Sequence, residues 1–209
     1  MASIVKYSIT GSSLAPTTQA SGVTGSSIAN GSLSSFGAGN DGWASDPVVS
    51  CNPPNSTTTA SLSVTKNSYC YITITPDSGK KISFSKIILN AGRGGSSTPR
   101  GLKIRSSVDS YAADLYSAEL ATYVPNWTQV QASLGLDFQA ITSPITFRFY
   151  VWAPSSSYAV DMDDIDFTGD VADLSVIAGI TGIAYASAKT VNGVLLGATG
   201  NVKGWNGNT

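Results

Sequence analysis

Histidine is absent from this 209-residue chain, and glutamate occurs once, at Glu119. Without an imidazole there is no side chain whose ordinary charge change falls near neutral pH, and the usual general base is missing. No Gly-x-Ser-x-Gly elbow occurs either, and the carboxylates cluster on one segment instead of facing each other across a cleft, as glycosidases require. No catalytic residue is expected, and the chain reads as a non-enzyme. Charged residues make up 12% of the sequence, about half the usual share. Net charge is -1 and no basic run occurs, so nothing attracts a polyanion and nucleic acid is not an expected partner. No stretch approaches the roughly 20 apolar residues of a membrane span. Met1 to Thr10 lacks the basic and apolar regions of a secretory signal. The expectation is therefore no membrane partner.

Cysteine is also scarce, with Cys51 and Cys70 alone. Two thiols without imidazoles are too few for a soft metal centre. In Tyr69-Cys70-Tyr71-Ile72-Thr73-Ile74 the alternation puts Cys70 on the face of Ile72 and Ile74. A buried free thiol is the expectation, with a disulfide left open by the spacing.

What the chain does have is strand-forming texture. Runs rich in Val, Ile, Thr and aromatics occur at 4–10, 60–65, 69–75, 81–90, 102–105, 128–134, 145–152 and 160–167, each bounded by Gly, Pro, Ser or Asn. One run, 109–122, suits a short helix, with Asp109 as N-cap and Ala112, Leu115, Tyr116 and Leu120 as a loose apolar stripe. About eight strands with long loops predict an all-β fold, a jelly-roll-like antiparallel β-sandwich, over residues 1–170.

Two segments carry candidate chemistry. In 145–152, alternation turns Ile145, Phe147, Phe149 and Val151 inward and Thr146, Arg148, Tyr150 and Trp152 outward. Arg148, Tyr150 and Trp152 would then form a plate suited to a sugar ring or to a protein interface. In 160–167, Val160 and Met162 point inward, and so do Ile165 and Phe167, which requires an extra residue at Asp163-Asp164, a β-bulge. Asp161, Asp163 and Asp164 are candidate ligands for a structural calcium, an ion that takes several hard oxygens; no other cofactor is implied. The competing reading pairs these carboxylates with Arg148, Lys103 or Arg105 across strands.

The last residues, 171–209, form a separate short β-repeat tail. Ile180-Thr181-Gly182-Ile183, Val191-Asn192-Gly193-Val194 and Val202-Lys203-Gly204-Trp205 recur every 11 residues. Asn192-Gly193 suits a type I′ turn. So few copies leave an apolar face uncovered, and Val191, Asn192, Gly193, Val194 and Trp205 are the candidate oligomerisation residues, completed by a second copy of the chain.

Several ordered motifs resemble a known family. They are Tyr69 with Ile72-Thr73-Ile74-Thr75-Pro76, Arg105-Ser106-Ser107-Val108-Asp109-Ser110-Tyr111, Pro144-Ile145-Thr146-Phe147-Arg148-Phe149-Tyr150, and Asp163-Asp164-Ile165-Asp166-Phe167-Thr168-Gly169. Together they resemble bacterial surface β-sandwich domains of the PEP-CTERM type, and the resemblance covers residues 1–170. It implies a jelly roll and an extracellular setting. The signal peptide, Pro-Glu-Pro motif and anchor of that family are not seen. Thr190-Val191-Asn192-Gly193-Val194 instead resembles C-terminal repeats of bacteriophage structural proteins. Together the two resemblances imply a virion structural protein assembled in the host cytoplasm and surface exposed, foremost a capsid decoration or cement protein that partners the capsid and itself as a homo-oligomer. The alternative is a carbohydrate-binding adhesin module on a phage fibre or bacterial surface, with a cell-surface glycan as partner.

Overall fold

The computed structural model describes residues 2–39, 47–55, 57–95, 98–122 and 126–174, and the backbone of 190–191 and 194–195. In chain order the strands are β1 (Ala2–Tyr7), β2 (Thr18–Gln19), β3 (Val23–Gly25), β4 (Ala29–Asn30), β5 (Ser35–Gly39) and β6 (Val48–Asn52). A short helix, α1 (Ala60–Thr65), follows. Then come β7 (Tyr69–Pro76), β8 (Lys80–Arg93), β9 (Gly101–Ser106), β10 (Tyr116–Glu119), β11 (Thr128–Ser133), β12 (Ile145–Trp152), β13 (Val160–Asp173), β14 (Thr190–Val191) and β15 (Val194–Leu195).

Among the described residues, β1 to β13 build two antiparallel sheets. The seven-stranded sheet runs β11-β8-β13-β1-β2, with β6 also on β13 and β5 on β6. The six-stranded sheet runs β10-β9-β12-β7-β3, with β4 also on β7. This is the predicted all-β sandwich. The predicted inward set of β12 is buried as expected, with Ile145, Phe147, Phe149 and Val151 all essentially inaccessible. Phe147 occupies the centre of the core. Its ring lies 5.6 Å from Phe84, 4.9 Å from Phe167 and 6.2 Å from Phe138. One aromatic from the six-stranded sheet thus plugs a ring of aromatics from the opposite side. Cys51 and Cys70 are both free and buried, one on each sheet, with their sulfurs 3.8 Å apart. Burial pushes the Cys51 thiol well up.

The expected break in alternation is present, with Val160, Met162, Ile165 and Phe167 all buried, and it has a topological role. Val160, Asp161 and Met162 pair with Cys51, Ser50 and Val49 of β6. From Ile165 onward the strand pairs with β1, Ile165 opposite Tyr7. β13 therefore changes partner across Asp163-Asp164, and Asp164 takes the left-handed conformation at φ 50°, which Asp tolerates better than most residues.

Two local expectations are overturned. The run 60–65 is helical, because the Thr59 hydroxyl accepts the Leu62 N–H at 3.2 Å and caps it. The run 109–122 is not a helix. Asp109 closes a 3-10 turn, Ser107–Asp109, and its carboxylate accepts the Ala112 and Ala113 N–H groups. Ser110 and Tyr111 then sit at φ 59° and 64°, which ends any right-handed helix. The chain continues as β10. Sequence reading also missed β2 to β6, which lie in Gly- and Ser-rich sequence with little alternation.

The chain divides into two compact units, Met1–Ala172 and Asp173–Thr209. In the second, β14 and β15 pair antiparallel, Val191 with Val194. Asn192, Gly193 and Trp205, and the side chains of Val191 and Val194, lie outside the described residues. Among the described residues no helix is long and apolar enough to cross a membrane.

Candidate functional site

The expected plate of Arg148, Tyr150 and Trp152 is only partly presented. Tyr150 is 1% and Trp152 8% exposed, so both are corrected from outward to covered. The cause is α1, which packs across β12 and β9 on the outer face of the six-stranded sheet. Trp152 lies over the bare Cα of Gly101, and Tyr150 sits edge-on to Tyr69 at 5.1 Å. Alternation identified the face correctly; the cover comes from a segment it could not foresee.

Beyond the edge of that cover the same face stays open. A groove of about 420 Å³ is lined by Asn30 at the end of β4 and the adjacent Gly31, Tyr69 and Tyr71 of β7, Tyr111 of the turn after β9, and Thr146 and Arg148 of β12. Its organising group is Arg148, half-buried in the cross-strand position opposite Tyr71. The guanidinium carbon stands 3.6 Å from the Tyr111 ring centre and 4.4 Å from that of Tyr69. Arg148 also donates to the Tyr150 hydroxyl at 3.3 Å. Burial works against the charge, but the Tyr150 hydrogen bond and the surrounding phenols outweigh it and hold Arg148 above its ordinary value. Tyr71 contacts Tyr69 edge-on at 6.2 Å.

Each aromatic has a local reason for its place. Tyr69 and Tyr71 flank buried Cys70, so alternation sends both outward. Tyr111 reaches the groove because its left-handed backbone turns the chain back over β12, helped by its N–H bond to Ser106 O at 2.8 Å. Gly31 lets Tyr69 lie flat, since a Cβ there would intrude on the ring. Of the predicted site residues only Arg148 lines the groove. Tyr69, Tyr71 and Tyr111 were missed, although the Tyr-Cys-Tyr alternation carried the signal for the first two.

The carboxylate candidates serve the fold. Asp161 is fully buried, not outward, because β13 is covered on both faces where it pairs with β6. Asp163 Oδ1 accepts the Ile9 N–H at 2.8 Å. Asp164 Oδ1 accepts from the Ser8 hydroxyl at 2.7 Å and pairs with Lys6 at 3.0 Å. Asp166 accepts from the Ser3 hydroxyl at 2.6 Å. The calcium reading of Asp161, Asp163 and Asp164 thus has no converging set: among the described residues no three carboxylate, thiol or imidazole groups gather as a cation site. The expected partners differ too. Lys103 and Arg105 instead bind Asp114 at 2.8 and 2.6 Å. Burial alone would raise Asp114, but hydrogen bonds from these two cations overcome it and leave the carboxyl below its ordinary value.

The bulge carboxylates give a pH prediction. The Ser8 hydrogen bond, with help from Lys6, holds Asp164 below the ordinary carboxylate value against the opposing effect of burial. A depressed native carboxyl stabilises the fold fully above the unfolded value near 3.9, and the contribution is lost as pH falls through the native one. Burial pushes neighbouring Asp163 the other way, only partly offset by the Ile9 N–H. Asp164→Asn keeps a tolerant left-handed residue and the Ser8 acceptor but loses the ion pair. It is expected to cost about 1 kcal/mol at pH 7 in urea unfolding, with the wild-type and variant curves converging as pH falls through the lowered native value. A cost that persists unchanged at pH 3 would contradict this.

No protein-family model matches the chain, and no curated protein matches it by sequence. Among solved structures it is similar to the K3 cleaved adhesin domain of Lys-gingipain from Porphyromonas gingivalis, at 14% identity and a TM-score of 0.45 over 81% of this chain and 100% of that one. It is also similar to a family 29 carbohydrate-binding module from Piromyces equi, at 12% identity and a TM-score of 0.39 over 79% and 90% of the two chains. A family 35 carbohydrate-binding module from an environmental isolate aligns at 7% identity and a TM-score of 0.39 over 81% and 96%. These are loose likenesses between β-rich domains.

Proposed function

We propose that the sandwich is a non-catalytic carbohydrate-binding module that attaches its bearer to a glycan through the groove of Tyr71, Tyr111 and Arg148. One observation carries the reading: a guanidinium over two tyrosine rings at 3.6 and 4.4 Å, beside a third tyrosine, on an open sheet face. Pyranose rings present apolar C–H faces and a rim of hydroxyls. Half-buried aromatic faces receive the former, and an oriented polar group receives the latter. Among the described residues lining the groove none is a carboxylate, thiol or imidazole, which supports attachment without chemistry.

The capsid-cement role expected from the tail depends on Asn192, Gly193 and Trp205, outside the described residues, and no geometry favours it over the glycan reading. Display on a cell or virion surface, the setting both resemblances imply, is the context we propose for the module.

The test is a glycan array followed by calorimetric titration of the best ligand. Tyr111 lies in a turn, so Tyr111→Ala should leave the melting temperature within a few degrees. It should weaken binding about 10-fold, equivalent to about 1.4 kcal/mol. Wild-type protein that binds no saccharide, or a Tyr111→Ala variant that binds as tightly as wild type, sinks the proposal.

A further inference from the structure

We infer that the groove selects carboxylate-bearing saccharides, with Arg148 as the group that receives the carboxylate; this rests on the glycan reading above and narrows it to acidic sugars.

Charge is the first argument. Among the described residues the groove is lined by one cation and no anion. Across the strand from Arg148, Arg105 shares the single carboxylate of Asp114 with Lys103, so this corner of the face keeps a surplus of positive charge. Asp109, two residues from Tyr111, accepts the N–H groups of Ala112 and Ala113. Among the described residues Arg148 has no carboxylate partner; its contacts are two ring faces and the Tyr150 hydroxyl. A guanidinium carries five N–H donors, and one directed hydrogen bond leaves most of them for a ligand.

The second argument is the balance of donors and acceptors. Asn30 is turned to its own loop, its Oδ1 accepting the Leu33 N–H at 2.8 Å and its Nδ2 donating to the Leu33 carbonyl at 3.4 Å, and the Thr146 hydroxyl is bonded to that of Thr73 at 2.9 Å. The tyrosine hydroxyls can donate or accept, whereas the Arg148 guanidinium only donates, so the groove's one charged group suits an acceptor-only partner. Finally, contact with two tyrosine rings restricts the guanidinium, a pre-organisation that favours a bidentate arginine–carboxylate pair.

The experiment titrates the full chain with galacturonate, mannuronate and hyaluronan oligosaccharides, each beside its methyl ester, which keeps the sugar and removes the charge. At least one free acid should bind about 10-fold or more tightly than its ester. Arg148→Lys should lose most of that preference, because a point charge does not replace the planar fork, and Arg148→Gln should abolish it. The wild-type comparison alone decides the matter should a variant fold poorly. Esters or neutral glycans bound as tightly as every acid overturn the acid preference and leave the glycan site standing. Binding of no saccharide of either kind overturns both.

Discussion

Phe147→Ala is expected to be the most damaging single change in the sandwich, costing about 3–5 kcal/mol and lowering the melting temperature by roughly 10 °C for a domain of this size. The ring is wholly inaccessible. It touches Phe84 of β8, Phe167 of β13 and Phe138, which follows β11. Truncation removes the transfer energy of a phenyl group and leaves a cavity. The cavity cannot collapse easily, because its walls belong to two sheets whose hydrogen-bonded ladders hold their spacing. Urea unfolding followed by tryptophan fluorescence measures the loss. A cost below about 1 kcal/mol would mean that the sheets do not meet through this ring.

Gly31→Ala is expected to weaken saccharide binding about 10-fold while removing no group that a sugar would touch. The Gly31 N–H donates to the carbonyl of Tyr69 at 2.9 Å, and the Tyr69 ring lies against the Gly31 Cα. The hydrogen bond ties the two backbones together, so the backbone cannot retreat to admit a methyl group. The ring must move instead. Gly31 is not among the positive-φ glycines, so the demand here is for space and not for a special backbone conformation. A displaced Tyr69 no longer flanks Arg148, and the guanidinium loses one of its two supports. Overpacking of this kind costs about 1–3 kcal/mol, so the variant should still fold. Titration against the array's best ligand, with a melting curve as control, checks it. Unchanged affinity would mean that the stack does not organise the site.

How much of this was legible in the sequence depends on the range of the interaction. Period-2 alternation in 145–152 identified the inner face of β12 without error, since it is a property of one strand. It said nothing of what lies over the outer face, and Tyr150 and Trp152 were misjudged because α1 arrives from sequence far upstream. The broken alternation at Asp163-Asp164 located the point where β13 changes partner, yet the partners of those carboxylates, Ser8, Ile9 and Lys6, lie more than 150 positions away. The groove was half readable. Tyr69 and Tyr71 share a face by the same alternation that buries Cys70. Tyr111 joins them only through two left-handed residues in succession, a conformation that Ser110-Tyr111 does not advertise.

The change of partner along β13 has a consequence for biogenesis. Of the sandwich's strands β1 is synthesised before the others, and its neighbour β13 follows them in sequence; the Ser3–Asp166 hydrogen bond spans 163 positions. Long-range pairing of this kind slows folding, and here it also fixes an order. On that edge β1 has to wait unpaired until translation has delivered the stretch beyond Asp163-Asp164, so closure of the seven-stranded sheet is a late event and β1 is the strand most in need of shielding in the interval.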